Sequence, residues 1–304
     1  MLRRHRPGAE GGAARRAWRD GLRAARRWRG RAVAAELADA VRRRDGGSAA
    51  RIAWTLARYH PAGLVRAAAL ALPRVRSGAM STDAQPPAVG GIRWGHFGRT
   101  RPISAGWGFD RGTPIDRVYI EDFLSRWADD VRGDVLEVGD DRYTRRFGRE
   151  RVGSVAILGP RPDVGVTVVA DLGVPGTLPE AAFDCVIAVQ VIHLVHDVAA
   201  AVENLSRSLR PGGVLLVTAP GILQLHDAEV EPSHWALTPA SMRALLKRVF
   251  PPSSVTVETG GNVLAAVAML HGIAAQEVPP AGLAAHDPAY PVSVLARAVR
   301  PGTT

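Results

Sequence analysis

The sequence predicts an α/β fold: a doubly wound, mostly parallel sheet preceded by a small helical, Arg-rich segment. Three observations carry that expectation. Short apolar runs recur at 135–138, 155–158, 166–170, 185–189 and 214–218, each bounded by Gly, Pro or Asp. Val, Ile and Leu fill these runs with few alternating polar residues, the pattern of strands covered on both faces. Helical stretches separate most of them, and strand alternating with helix builds a doubly wound sheet whose ligands bind beyond the carboxyl ends of the strands.

The chain divides by charge. Residues 1–80 hold 19 Arg and 5 acids, whereas residues 81–304 hold 20 basic and 24 acidic residues, so the net charge of +10 belongs to the N-terminal part. Residues 1–76 read as a basic helical segment: Trp18, Leu22 and Ala25 share one side of a first helix, and Ile52, Leu56 and Tyr59 mark a second at i, i+4, i+7 spacing. A linker rich in Pro, Gly and Ser covers 77–99, and an α/β domain occupies 100–304. Such a basic arm can meet any acidic surface. No zinc-finger spacing or aromatic stacking motif accompanies its Arg residues, which disfavours nucleic acid as a partner.

Within the α/β domain a helix is expected over 118–130, with Ile120, Phe123, Leu124 and Trp127 on its buried face. A helix follows the first strand to about residue 149, an amphipathic helix packs on the sheet over 262–277 through Val263, Leu264, Val267, Leu270 and Ile273, and a last strand spans 292–299. Cys185 is the only cysteine, so an internal disulfide and a cysteine metal cluster are excluded, and a reducing, cytoplasmic setting fits. No apolar run, 67–72 included, approaches the roughly 20 residues that a membrane span needs. No apolar stretch follows the basic start as a secretory signal would require.

The chemistry is expected after the first strand. Leu136-Glu137-Val138-Gly139-Asp140 places a glycine where the backbone must turn tightly and approach a ligand. Further elements follow in order: Val168-Val169-Ala170-Asp171-Leu172, then the strand from Phe183 to Gln190, then Leu209-Arg210-Pro211-Gly212-Gly213 leading into the next strand. As a set these resemble the class I S-adenosylmethionine-dependent methyltransferases over roughly residues 100–300. Arg111-Gly112-Thr113-Pro114-Ile115-Asp116 and Tyr143-Thr144-Arg145-Arg146-Phe147-Gly148 are similar to a bacterial subgroup often associated with glycosyltransferases. The basic helical segment resembles, in composition alone, the Arg-rich tails of some bacterial glycosyltransferases.

The resemblance implies a seven-stranded sheet with an antiparallel last strand, S-adenosylmethionine as cofactor, a small-molecule or glycan acceptor and a glycosyltransferase partner. It implies that Glu137, Gly139 and Asp141 border the methionine part of the cofactor, that Asp171 and the Leu172 amide address the adenine ring, and that Gln190 borders the cleft. Two departures bear on this. Asp141 and Tyr143 stand where the family commonly has its second and third glycines, so Asp141 must turn away or pair with Arg142 or Arg145. The second strand ends Ile157-Leu158-Gly159-Pro160 without the usual ribose-binding acid, with Asp163 nearby as a substitute.

An alcohol acceptor benefits from a general base near pKa 7, and His193, after the fourth strand, is the candidate catalytic residue. His226, His234 and Trp235, with Asp227, Glu229 and Glu231, form a loop that could cover the acceptor, and their irregular spacing assigns no metal. The reading is therefore a methyltransferase acting on oxygen in polysaccharide or natural-product biosynthesis. The alternative is a methyltransferase-fold module that binds without catalysing. A nicotinamide-dependent oxidoreductase is disfavoured because no Gly-x-Gly-x-x-Gly follows the first strand.

Overall fold

A computed structural model describes residues 86–225 and 233–302. The expected basic helical segment, the first part of the linker and the loop residues His226, Asp227, Glu229 and Glu231 lie outside the described residues. Seven strands form one sheet: β1 (Gly133–Val138), β2 (Val152–Gly159), β3 (Val168–Val169), β4 (Phe183–Val189), β5 (Leu209–Pro220), β6 (Val255–Gly260) and β7 (Ser293–Val299). Their order is β3-β2-β1-β4-β5-β7-β6. β7 runs antiparallel to both β5 and β6, and the remaining pairs are parallel.

Alternation within each central strand explains why both faces are dry. Val135, Cys185, Ile187, Val214, Leu216 and Leu295 point to the face covered by α1 (Ile115–Arg126), where they meet Ile120, Phe123 and Leu124. Leu136, Val186, Ala188, Leu215 and Val217 point to the other face, covered by α2 (Val198–Ser208) and α3 (Pro239–Leu246) through Val202, Leu205, Met242 and Leu246. Cys185 is fully buried in the first of these layers, as a small core residue.

Local chemistry sets the ends of the helices. α1 begins at Ile115, three residues before the sequence suggests, because Pro114 (φ −56°, ψ 147°) fixes an extended approach and has no amide to leave unpaired. The Asp197 carboxylate accepts from the Ala200 amide at 2.9 Å and opens α2. Thr238 and Ser241 cap each other's amides and open α3, with Pro239 in the first turn.

The helix expected over 262–277 is shorter. α4 (Val263–Leu270) stops before Gly272, whose φ of +64° suits glycine and where a side chain would overlap the Ser104 carbonyl oxygen. Its buried face also differs from the expectation. Ala265, Ala266, Ala268 and Met269 pack with Ile115, Val278, Leu283 and Val292, whereas Val263, Val267 and Leu270 are exposed. Close approach to α1 favours the small side chains. After β1, the expected helix becomes a wide π-type turn at Thr144–Gly148 followed by a 3-10 turn at Arg149–Arg151.

Two strands depart from the sequence pattern for one reason, their position at a sheet edge. β3 shrinks to two residues, pairing Leu158 with Val168 and Gly159 with Val169. β6, Val-Thr-Val-Glu-Thr-Gly, pairs only with β7, and its polar alternation disguises it in the sequence. Among the described residues no helix is long and apolar enough to cross a membrane.

Candidate functional site

The parallel strands bring the segments singled out in the sequence to one edge of the sheet. Gly139 follows β1 with φ +94°, a conformation that favours glycine, and its amide donates to the Leu158 carbonyl at 2.8 Å. Glu137 lies under this turn, 2 % exposed, and accepts from the Tyr143 amide at 3.1 Å and the Thr144 amide at 2.7 Å. Burial pushes its carboxyl up to about 8, against the opposing pull of the Thr144 and Tyr143 donors. Both oxygens are thus engaged in holding the chain that returns after Gly139.

The two residues at the altered glycine places have distinct fates. Asp141 forms an i, i+4 ion pair with Arg145 at 2.5 Å, one of the two pairings that relieve its charge. Asp140 accepts from the Arg142 amide and guanidinium, each at 3.0 Å. Tyr143 turns inward, 4 % exposed, and its ring stacks near Phe147 with centroids 6.3 Å apart. It joins the layer beneath α1 with Ile120 and Phe123. The turn is therefore braced by a side chain and by ion pairs.

Asp171 follows β3 and is exposed, with its Oδ1 accepting from the Gly173 amide at 2.8 Å. Leu172 is buried in the core, and its carbonyl accepts from Asn204 Nδ2 at 2.8 Å. Asn204 also donates to the Val174 carbonyl and accepts from the Gly176 amide, so α2 fixes the loop that carries Asp171. Asp163 sits in the loop after β2, where its Oδ1 accepts from the Val164 amide at 2.7 Å.

Gln190, directly after β4, adopts φ +53°, a left-handed conformation that is strained for a residue with a side chain. Its amide donates to both the carbonyl and the hydroxyl oxygen of Thr218 on β5, each at 3.1 Å. These bonds hold the strain in place. Its side-chain Nε2 is buried without a partner among the described residues. His193 follows in a 3-10 turn (Ile192–Leu194), 9 % exposed, with a buried Nδ1 that also lacks a partner.

Burial, and secondarily the Arg117 cation, push the His193 imidazole down to about 4. The ring is neutral at pH 7, well below the value near 7 that a general base would ideally have. The amides of His234 and Trp235 donate to the His193 carbonyl at 2.9 and 3.2 Å, and the Trp235 indole donates to the Val195 carbonyl at 2.9 Å. The chain after β5 therefore docks on the turn that presents His193.

Sequence reasoning assigned no role to the residues entering from α1 and the segment before it. Gln224 Nε2 donates to the Ala105 carbonyl at 2.8 Å, linking the end of β5 to this segment, and Phe109 lies 5.9 Å from the Arg117 guanidinium. Arg117 Nη1 pairs with Asp116 at 2.9 Å, while its Nε is buried without a partner. One signal was available. A cation in the first turn of a helix opposes the macrodipole and calls for a specific reason.

Residues 127–217, from the end of α1 into β5, match the family described as a methyltransferase domain. That segment is thus similar to a methyltransferase domain. It spans under a third of the chain, and β6, β7, α3 and α4 lie outside the match. No curated protein matches the chain. Solved structures similar to it include an S-adenosylmethionine-dependent methyltransferase from Mesorhizobium loti, with 19% identity over 61% of this chain and 98% of that one and a TM-score of 0.38. A second, from Archaeoglobus fulgidus, has 13% identity over 62% of this chain and 96% of that one, with a TM-score of 0.42. The N-methyltransferase NodS from Bradyrhizobium japonicum, in complex with S-adenosylhomocysteine, has 14% identity over 62% of this chain and 89% of that one, with a TM-score of 0.39.

Similarity to a methyltransferase domain implies S-adenosylmethionine as the methyl donor. The residues present fit such a group. A left-handed glycine opens the turn after β1, and buried polar atoms of Gln190, His193 and Arg117 have no hydrogen-bond partner among the described residues.

Proposed function

We propose that the protein transfers a methyl group from S-adenosylmethionine to an oxygen of a small molecule or glycan, in bacterial polysaccharide or natural-product biosynthesis. The observation that carries this reading is the unpartnered Gln190 Nε2 and His193 Nδ1 on one short stretch after β4, with Gln190 held in a strained left-handed conformation. Strain and unmet hydrogen bonds cost stability and persist where a ligand repays them.

When bound, S-adenosylmethionine supplies an electrophilic methyl group on sulfur. The chain need only hold, orient and exclude water. Gly139 would give the methionine end a close approach, with Asp141 beside that turn in its ion pair. Asp171 would accept from the adenine amine, the Leu172 amide would donate to the ring, and Gln190 would donate from Nε2. His193 Nδ1 would accept the hydrogen bond of the acceptor hydroxyl and take its proton, while the donor would supply the methyl group to that oxygen. A neutral imidazole is ready for that at pH 7, although its low basicity limits how far the proton moves before the methyl group does. A glycosyltransferase that builds the acceptor is the partner this reading favours.

Calorimetry with S-adenosylmethionine and S-adenosylhomocysteine tests the reading. Binding of both is expected, weakened roughly tenfold or more by Asp171→Ala, since a hydrogen bond to a charged group contributes roughly 1.5–3 kcal/mol. His193→Ala should spare binding and lower turnover roughly a hundredfold. Absence of binding to either compound, for folded protein at high concentration, overturns the reading. Binding without turnover on any sugar or phenolic acceptor would favour a module that no longer catalyses.

A further inference from the structure

α4 turns its larger side chains to solvent. Val263, Val267 and Leu270 recur at i, i+4, i+7 and are exposed, while the alanines of the same helix pack inward. The exposed stripe continues past the end of the helix. Phe97 sets its ring edge-on to His271, the residue after α4, with centroids 5.0 Å apart. The amides of Ile103 and Ser104 donate to the His271 carbonyl at 2.9 and 3.1 Å, which ties the segment before α1 to the C-terminal end of α4. That segment exposes Ile92, Phe97 and, at 66 %, Trp94. Two elements distant in sequence thus add apolar side chains to one neighbourhood. Single exposed apolar residues are ordinary on a soluble surface, whereas a cluster marks a contact with something apolar.

Charge narrows what that contact is. Residues 86–109 contain Arg93, Arg99 and Arg101 and no acid, and residues 259–276 contain no Asp, Glu, Lys or Arg. The three Arg are exposed and form no ion pair among the described residues. Arg111, Arg126 and Arg297, by contrast, are each held by a carboxylate. The chain that leads into this segment has the same sign, with 19 Arg against 5 acids over residues 1–80. A second copy of the chain is a poor occupant, because a self-complementary contact would set these Arg against one another. Aliphatic and aromatic side chains interspersed with unpaired Arg suit a layered partner, apolar within and anionic at its surface.

We propose that the α4 stripe and residues 92–101 form a docking surface for a membrane leaflet that contains anionic lipid. Ile92, Trp94, Phe97, Val263, Val267 and Leu270 enter the interfacial layer, and Arg93, Arg99 and Arg101 meet the lipid phosphates. The docking is peripheral, since among the described residues no helix is long and apolar enough to cross a membrane. It stands independently of the methyl-transfer reading.

Site-directed labelling of the full chain tests the placement. Cys185 is fully buried, so an environment-sensitive fluorophore attaches to a cysteine introduced at an exposed position. Probes on Leu270→Cys and Trp94→Cys should brighten and shift to shorter wavelength with phosphatidylcholine–phosphatidylglycerol vesicles, and spin-labelled lipid chains should quench them. A probe on Glu203→Cys should not respond, because α2 covers the other face of the sheet. Co-sedimentation should be roughly tenfold or more weaker with phosphatidylcholine alone. Replacing three exposed residues together (Trp94→Ser, Val267→Ser, Leu270→Ser) should weaken binding to the anionic vesicles by a similar factor with the circular dichroism unchanged.

Co-sedimentation that leaves both probes unchanged, or that the triple substitution does not weaken, assigns the attraction to the Arg-rich residues 1–80 and overturns the surface. Probes that brighten with rising protein concentration and no vesicles assign the stripe to a second copy, which overturns it as well. Failure to bind the anionic vesicles, or equal binding to both lipid compositions, also contradicts the proposal.

Discussion

The two ends of the parallel strands are built on opposite principles. At the amino end, charges are matched. Arg210 bridges Asp184 at 2.7 Å and Asp134 at 2.8 Å, and Asp184 also accepts from the Asp134 amide. Arg297 on β7 pairs with Asp130 at 2.7 Å and lies over the Trp127 ring at 4.4 Å. Arg300 donates to the Arg207 and Leu209 carbonyls. At the carboxyl end, Gln190, His193 and Arg117 keep buried polar atoms without partners, and Gln190 is strained. The Trp127 indole nitrogen is an exception at the amino end. One end is arranged for the folded state alone, whereas the other gives up stability that a ligand can return.

The largest effect expected from breaking this division falls on Glu137, which lies at the carboxyl end and serves the fold. Glu137→Ala leaves the Tyr143 and Thr144 amides without their acceptor, and each buried unsatisfied donor costs roughly 1–3 kcal/mol. Urea unfolding should register a loss of about 2–4 kcal/mol. A loss below about 0.5 kcal/mol would show that the turn does not depend on this carboxylate.

A smaller effect appears with pH. The folded state holds His193 neutral down to about 4, whereas the unfolded chain protonates it near its ordinary value of 6.5. Between these values the unfolded state binds the extra proton, so this residue's contribution to stability falls as pH falls through that window. Urea unfolding of the wild type and His193→Ala at pH 7.5 and pH 4.5 should therefore show the stability gap shifting in favour of the variant at low pH, on the order of 2 kcal/mol. A gap independent of pH would place the imidazole in water.

The smallest effect has the opposite sign. Gln190→Gly relieves the left-handed strain at φ +53° and removes the unpartnered amide, and should raise stability by about 0.5–1 kcal/mol while weakening S-adenosylmethionine binding. Thermal unfolding and calorimetry on one sample read both. A variant that is less stable and binds as well would reverse the assignment of this end to function.

How much of this was legible in the sequence follows the same division. Strands buried on both faces, such as β4 and β5, announce themselves because nothing polar interrupts them. β6 stayed hidden because an edge strand with Thr256, Glu258 and Thr259 has no such run, and Pro251-Pro252 before it reads as loop. On α4 the large residues Val263, Val267 and Leu270 suggested the wrong buried face, since packing distance against α1 selects Ala over Val.

At the site, the segments were legible and the roles were less so. The resemblance and the order of the strands brought Gly139, Asp171, Gln190 and His193 to one edge, but they do not say that Glu137 is engaged by two amides or that Asp141 chooses Arg145 over Arg142. Arg117 was overlooked because its significance lies in what its Nε fails to meet, a property of packing.

The central claim is that the methyl donor binds at the carboxyl end of the sheet while the amino end is structural scaffold. Amide chemical-shift mapping of isotopically labelled protein during titration with S-adenosylhomocysteine tests it most directly. Shifts should concentrate at Gly139 to Thr144, Asp171 to Gly173 and Gln190 to His193, with Gly133, Asp134, Asp184 and Arg210 unmoved. Shifts centred on the second group, or spread evenly over both ends, would contradict the account.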